Sequence, residues 1–282
     1  MLARPCKILE IGYGSDDIRS FHLNYGEPVK AGQFVVAWLP GVSENPFSVS
    51  YNNNGKFGIT VKRMHHKPCE EKTMTEAMFD LRPGDNVFLK PNPRSKEHSM
   101  LHGNGFLDVR PPGKINYLVA GGIGAAPLAL LAKEIDDTNL NADVSVMIGA
   151  ADFKEMDIFI GRFNRHAHAL WIATDNDSAG YHGFVTDLIG KLSFSEEESI
   201  AYVCGNDAMM DAAAKKFVAH GVPEENVVLC TESYMKCYAG LCGGCERDGW
   251  RVCVDGPVFT YDVIKNGLRE KRDACGTRIK TF

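Results

Sequence analysis

The stretch Ile115-Asn116-Tyr117-Leu118-Val119-Ala120-Gly121-Gly122-Ile123-Gly124 decides the architecture of this chain. A buried strand runs straight into a glycine-rich turn, and Ala125–Ile135 then reads as a helix. Glycines at such a hand-over let backbone N–H groups and a helix N-terminus face a phosphate with no Cβ in the way. The pattern is Gly-Gly-x-Gly rather than the full G-x-G-x-x-G, so taken alone it also suits a plain tight turn.

Downstream, strands are predicted at Asp143–Gly149, Ala169–Thr174, Ser199–Cys204 and Val227–Thr231, the last closing the unit. Helices are predicted near Lys154–Arg165, at Gly183–Leu192 and at Asp207–His220. Alternation at this pitch means a parallel sheet with helices on both faces. Two more strand ends, Thr174-Asp175 and Cys204-Gly205-Asn206, fall on the same edge as Gly121–Gly124, where open α/β sheets bind ligands. Three such loops on one edge favour a dinucleotide site. Cys204 would then stand beside a nicotinamide, although a core cysteine is an equal reading.

Upstream the pattern is different. Short strands are predicted at Cys6–Tyr13, Ile18–Leu23, Gln33–Trp38, Phe47–Tyr51, Phe57–Val61 and Asn86–Leu89, separated by turn residues such as Arg82-Pro83-Gly84-Asp85. With a single helical stretch, Thr75–Leu81, they suggest a small antiparallel barrel. Pro91–Pro112 reads as a loop. In that barrel Ser48 could donate to a flavin edge, Phe47 line the ring and Lys62 meet phosphate; a core Phe47 and a solvated Lys62 are the plain alternatives. His65-His66 with Cys69, Glu70 and Glu71 reads as a solvated loop, because adjacent side chains of an extended chain point apart.

The last informative stretch is Cys237-Tyr-Ala-Gly-Leu-Cys242-Gly-Gly-Cys245 followed by Cys253, spaced C-x4-C-x2-C-x7-C. The first three spacings are those of the plant-type [2Fe–2S] loop, and the glycines between let N–H groups turn toward the sulfurs. Structural zinc usually takes two separated pairs, and disulfides suit a secreted chain, so both stand behind the iron–sulfur reading. Cys6, Cys69, Cys230 and Cys275 have no partner spacing and read as isolated thiols.

Composition narrows the function. The chain has 282 residues, 44% hydrophobic and 24% charged, enough for two domains and a small third. A net charge of −5 without a basic run argues against a nucleic-acid surface, and no apolar run is long enough to span a membrane. Nine cysteines and no visible secretion signal suggest a reducing cytoplasm. The expected division is a β-barrel at 1–112, a parallel-sheet α/β domain at 113–229 and a small cysteine-bearing segment at 230–282.

Taken in order, these parts resemble the electron-transfer subunit of dihydroorotate dehydrogenase, within the ferredoxin–NADP reductase superfamily. The most specific pieces are Met235-Lys236-Cys237 through Cys245, Cys253-Val-Asp-Gly-Pro-Val-Phe259, Gly121–Leu128, Tyr181–Ile189 and Gly103-Asn-Gly-Phe106. The resemblance implies a Greek-key barrel holding FAD, a second domain binding NAD(H), and a [2Fe–2S] cluster on Cys237, Cys242, Cys245 and Cys253. Asn45, Pro46, Phe47 and Ser48 match the flavin loop, and Thr60, Val61 and Lys62 the next flavin-contact strand. Met74-Thr75 matches the Gly-Thr that meets the pyrophosphate, with methionine in place of glycine. Ser48 and Cys204 are then the candidate catalytic positions, and Gly121, Gly122, Ile123, Gly124, Thr174, Asp175, Gly205 and Asn206 the dinucleotide contacts. The implied partner is an FMN-containing catalytic subunit in a heteromeric complex. The Asp255-Gly-Pro-Val-Phe-Thr-Tyr261 context also looks like diaphorase subunits of anaerobic sulfite reductases and cytoplasmic hydrogenases. A redox adaptor without turnover is a third reading.

Overall fold

The computed structural model describes residues 2–53, 55–66, 71–138, 141–191 and 198–266. Strands β1 (Arg4–Ser15), β2 (Ile18–Asn24), β3 (Phe34–Leu39), β4 (Ser43–Asn53), β5 (Lys56–Lys62) and β6 (Asn86–Lys90) are all antiparallel. Their ring order, β1-β2-β5-β4-β3-β6 and back to β1, is a closed Greek-key barrel that leaves no open sheet edge. Alternation supplies its interior. Leu23 stands opposite Phe57 and Phe21 opposite Ile59 across β2 and β5, all four with no exposed surface.

Helix α1 (Met74–Phe79) starts one residue before the expected Thr75. Thr73 caps it: its Oγ1 accepts from Glu76 N, and the Glu76 carboxylate accepts from Thr73 N at 2.9 Å. The stretch expected as loop carries two short elements, β7 (Leu101–His102), which continues the β6 edge along β3, and α2 (Phe106–Val109). Pieces this short have no period to read.

Beyond the barrel run β8 (Ile115–Gly121), α3 (Ala125–Thr138), β9 (Asp143–Ala150), α4 (Asp157–Phe163), β10 (Ala169–Thr174), β11 (Tyr181–His182), α5 (Val185–Ile189), β12 (Ser199–Cys204), α6 (Asp207–Ala219) and β13 (Val227–Cys230). The helix expected from Lys154 is a 3-10 turn at Phe153–Glu155 followed by α4, and α5 is shorter than the expected Gly183–Leu192, whose end lies outside the described residues. Then come β14 (Glu246–Arg247), β15 (Trp250–Arg251), α7 (Val252–Asp255), β16 (Val258–Thr260) and α8 (Tyr261–Asn266). The sheet order is β11-β10-β9-β8-β12-β13-β16, parallel except for β16 against β13. The strand order reverses at β8, which puts the Gly121–Gly124 turn at the switch point where such sheets bind ligands.

β13 does not close this sheet, contrary to expectation. β16, from the cysteine-bearing segment, adds an antiparallel edge to it, with Leu229 opposite Phe259. A shared apolar cluster then joins Phe34 and Val36 of the barrel to Met235, Tyr238, Cys245, Cys253 and Phe259.

Candidate functional site

Where barrel and sheet meet there is a cavity of ≈290 Å³. Pro46, Phe47 and Ser48 from β4 and Thr60, Val61 and Lys62 from β5 form one wall; Ile123, Gly124, Cys204, Cys230, Glu232 and Met235 belong to the other. These side chains come from distant parts of the sequence, and pairing of β4 with β5 brings the two barrel triplets together. The shape and lining, apolar with a few hydroxyl and charged groups, suit a planar ring with polar edges. Thr60 does not spend its hydroxyl there: Oγ1 bonds Ser20 Oγ at 2.7 Å and Ser50 Oγ at 2.8 Å inside the barrel.

Three expected barrel contacts lie elsewhere. Asn45 pairs with Ala37 across β3 and β4 and is not among the lining residues. Met74 and Thr75 are buried, and Thr75 Oγ1 accepts from Met64 N at 2.9 Å. The α1 N-terminus faces the Glu76 carboxylate, held at a pKa of about 2 by the Thr73 N–H and by His66, against desolvation. His65 and His66 do not point apart as expected; His66 meets Glu76 at 2.9 Å, with His65 at 3.6 Å. Cys69 and Glu70 lie outside the described residues, as does Cys275.

A second cavity, ≈430 Å³, opens on the C-terminal edge of the sheet and shares Ile123, Gly124 and Glu232 with the first. Gly121, Gly122, Asp175, Gly205 and Asn206 line it as expected. Glycine is required at Gly124, because a Cβ there would lie 2.3 Å from the Cys204 carbonyl oxygen. The turn Gly122–Gly124, which lines this cavity, passes directly into the 14-residue α3, whose Ala126 and Pro127 line the barrel-side cavity. Thr174 does not line it. Fully buried, it clasps its own loop through Ala179 O at 2.8 Å. Cys204 lines the barrel-side cavity rather than this one.

The four loop cysteines stand as two pairs. The Cys242 thiol is among the groups that lower the Cys237 pKa, and the Cys245 thiol among those that raise that of Cys253. Among the described residues no three His, Cys, Asp or Glu side chains gather round one point. Ala239, Leu241 and Cys242 donate backbone N–H groups to Cys237 Sγ at 3.5, 3.3 and 3.4 Å, and Gly244 donates to Cys242 Sγ at 3.4 Å. Left-handed backbone at Tyr238, Gly240 and Gly243 turns the loop around those sulfurs. Burial pushes the Cys237 thiol up, but these N–H bonds outweigh it and bring its pKa down to about 6. Burial and the Cys245 thiol raise Cys253 to about 12. A loop of N–H donors around paired sulfurs is the environment an iron–sulfur cluster needs.

Sequence reasoning missed several residues here. Glu155 and Phe184 line the dinucleotide-side cavity, and Glu232 faces both cavities, its carboxyl raised by desolvation and by the Asp207 charge. Arg63, next to Lys62, and Arg19 flank the Phe79 ring at 5.0 and 4.4 Å and line a separate recess between the barrel and the turn after β9, which adds Asp152 and Lys154. Isolated charges give no periodic signal. Cys230 gave none either; it is the β12–β13 pairing that sets it beside Cys204.

Comparison with known proteins agrees with this geometry. A family model described as the iron-sulfur cluster binding domain of dihydroorotate dehydrogenase B matches residues 232–265, and an oxidoreductase NAD-binding domain matches 118–215. Curated relatives carry the name probable dihydroorotate dehydrogenase B (NAD(+)), electron transfer subunit. The one from Methanocaldococcus jannaschii is 32% identical over 280 residues, covering 97% of each chain; that of Methanocella arvoryzae is 34% identical over 277, covering 96% of each. Among solved structures, an NADH-dependent reduced ferredoxin-NADP oxidoreductase superposes with a TM-score of 0.73 at 22% identity, over 95% of this chain and 94% of that one. A ferredoxin NADP+ reductase from Neisseria gonorrhoeae with bound FAD and NADP gives 0.65 at 16% identity, over 80% and 97%. These two share the fold.

Proposed function

Because the chain belongs to the family of dihydroorotate dehydrogenase B electron transfer subunits, we propose that it relays electrons between NAD(H), FAD, a [2Fe–2S] cluster and a separate catalytic subunit. The observation that carries the reading is the adjacency of three sites. The dinucleotide-side cavity shares Ile123, Gly124 and Glu232 with the barrel-side cavity, and Met235, in the barrel-side wall, is two residues from Cys237. Nicotinamide exchanges electrons in pairs and an iron–sulfur cluster singly, and a flavin between them is what converts one into the other.

Each residue's part follows from its position. Gly121, Gly122, Gly124, Gly205 and Asn206 offer backbone and amide groups to a dinucleotide, and Asp175 stands at the next strand end for a ribose. Pro46 and Phe47 flank the flavin ring, and Ser48 offers its hydroxyl to the ring edge. Asn45, Thr60, Val61, Lys62, Met74 and Thr75 hold the rest of that loop and strand in shape, and Thr174 fixes the loop that carries Asp175. Cys237 with Cys242, and Cys245 with Cys253, each supply the two thiolates one iron needs. Barrel 1–112, dinucleotide domain 113–229 and cluster segment 230–282 are the working units, the last tied to the second through β16.

The partner is an FMN-containing subunit oxidising dihydroorotate, in a heteromeric cytoplasmic complex of pyrimidine biosynthesis. No helix among the described residues is long and apolar enough to cross a membrane. Anaerobic purification followed by NADH titration tests the relay. Flavin and cluster absorption should bleach together, and an FMN subunit should co-purify. A cluster without flavin, or a flavin that ignores NADH, would sink the reading. Ser48→Ala should slow NADH-driven flavin reduction in single turnover, and an unchanged rate removes Ser48 from the mechanism.

A further inference from the structure

Cys204 and Cys230 are the last residues of adjacent parallel strands and lie in direct register across β12 and β13. Registered residues of parallel strands point to the same face, and the strands are about 4.8 Å apart. That spacing lies within the range of Cα separations that a disulfide spans, about 4.4–6.8 Å. Both residues are only 3% exposed, and both line the barrel-side cavity. The two side chains also influence each other in this arrangement, the Cys230 thiol being the largest cause that raises the Cys204 pKa. The Cys204 backbone is also pinned, because its carbonyl packs against Gly124 where no Cβ fits.

We propose that Cys204 and Cys230 form a dithiol–disulfide couple that exchanges an electron pair with the flavin. The proposal rests on the flavin reading of this cavity and adds a redox site to it. In the oxidising direction two S–H bonds break and one S–S bond forms, and two electrons and two protons pass to the oxidised flavin. In the reducing direction, flavin reduced by NADH returns them and the disulfide opens. Cys204 keeps its proton, because the Cys230 thiol and burial hold its pKa well above the ordinary range. Access is restricted by the same geometry. With both sulfurs buried in the cavity wall, a bound ring is the redox partner in reach, while bulk thiols and glutathione are kept away.

The couple would let one chain hold a further electron pair while the cluster empties one electron at a time. The test uses full-length holoprotein, oxidised with ferricyanide and then titrated anaerobically with NADH while flavin absorbance is followed. Samples before and after are alkylated, digested and mapped by mass. The expected result is a Cys204–Cys230 cross-linked peptide before NADH and two alkylated cysteines after it. Wild type should consume one more NADH per chain than Cys230→Ser, whatever other centres co-purify. Two alkylated thiols in the oxidised protein, or equal NADH consumption, overturn the proposal. So does a cross-link that persists while the flavin bleaches. A flavin that does not bleach at all overturns the relay instead, and with it the couple's electron source. The peptide map of the wild-type protein decides the cross-link even if Cys230→Ser does not fold.

Discussion

Lys62 Nζ stands 2.8 Å from Glu155 Oε2, an ion pair that joins strand β5 of the barrel to the turn after β9. Lys62 lines the barrel-side cavity and Glu155 the one on the sheet edge, so the pair sits where the two meet. The other ionisable residues lining the dinucleotide side are Asp175 and Glu232, both acids. A nucleotide pyrophosphate entering there meets a negative wall that Lys62 offsets only partly while it is paired. Glu155→Gln removes one negative charge and frees the ammonium. With side chains 36% and 28% exposed, the effect is limited by solvent to about 0.5–1 kcal/mol. KM for NADH should therefore fall about two- to five-fold with kcat unchanged, as measured by steady-state dye reduction. A raised KM would show that Glu155 holds the coenzyme directly.

The turn after β8 makes a sharper prediction, because its glycines differ. A Cβ on Gly124 would lie 2.3 Å from the Cys204 oxygen and 2.6 Å from its carbonyl carbon, both backbone atoms that cannot swing aside. Gly122 has a φ of +53 and open space around it. Gly122→Ala should cost only the left-handed backbone penalty, about 1–2 kcal/mol. Gly124→Ala should cost about 3 kcal/mol or more and weaken NADH binding as β8 and β12 are forced apart. Thermal melts compared with NADH titrations check both, and equal losses would mean the turn relaxes freely.

These two sites also show what was legible beforehand. Ile115–Gly124 announced itself, because a buried strand ending in glycines has few other uses, and the strands of both domains appeared near their expected limits. What no local pattern carried was the company each residue keeps. Glu155 is an ordinary surface charge until β9 brings it to Lys62. Cys230 has no partner in the chain but gains one through the β12–β13 register. β16 has only three residues and is a strand because β13 offers it an edge. Thr174 and Thr60 are polar residues at strand positions that suit ligand contact, yet their hydroxyls are taken up by neighbouring protein groups. Local sequence gives a residue's chemistry, and topology decides which neighbour uses it.

The cluster loop offers a matched pair of glycines. Gly240 and Gly243 have φ of +73 and +72, so alanine at either costs the same backbone strain. A Cβ on Gly240 would also lie 2.9 Å from Val254 Cγ2, and its carbonyl accepts from Arg251 Nη1 at 3.1 Å, whereas Gly243 meets nothing within 4 Å. Overpacking adds about 1–3 kcal/mol at Gly240 alone. Iron per purified chain should fall at least about five-fold further for Gly240→Ala than for Gly243→Ala. Equal iron contents would show that the loop moves as a unit and that Val254 yields.

Glu134 on α3 gives the stability of the barrel–sheet contact a pH dependence of its own. Its Oε1 accepts from Ala31 N at 2.7 Å, stitching the helix to the loop before β3. Burial raises its pKa from 4.5 to about 7, in spite of that hydrogen bond. The folded protein thus retains a proton that the unfolded chain gives up from pH 4.5 upward. Keeping the proton costs nothing at low pH. The cost grows as pH rises from about 4.5 to about 7 and is constant above, reaching about 3 kcal/mol. Glu134→Gln keeps an acceptor for Ala31 N and has no charge to desolvate. It should leave urea midpoints unchanged near pH 4.5 and raise them at pH 8 by up to that amount. A gain of the same size at both values would trace the effect to packing, and a loss at pH 8 would mean the carboxylate is ionised and held by Lys30 and Lys133, the two cations that lower its pKa.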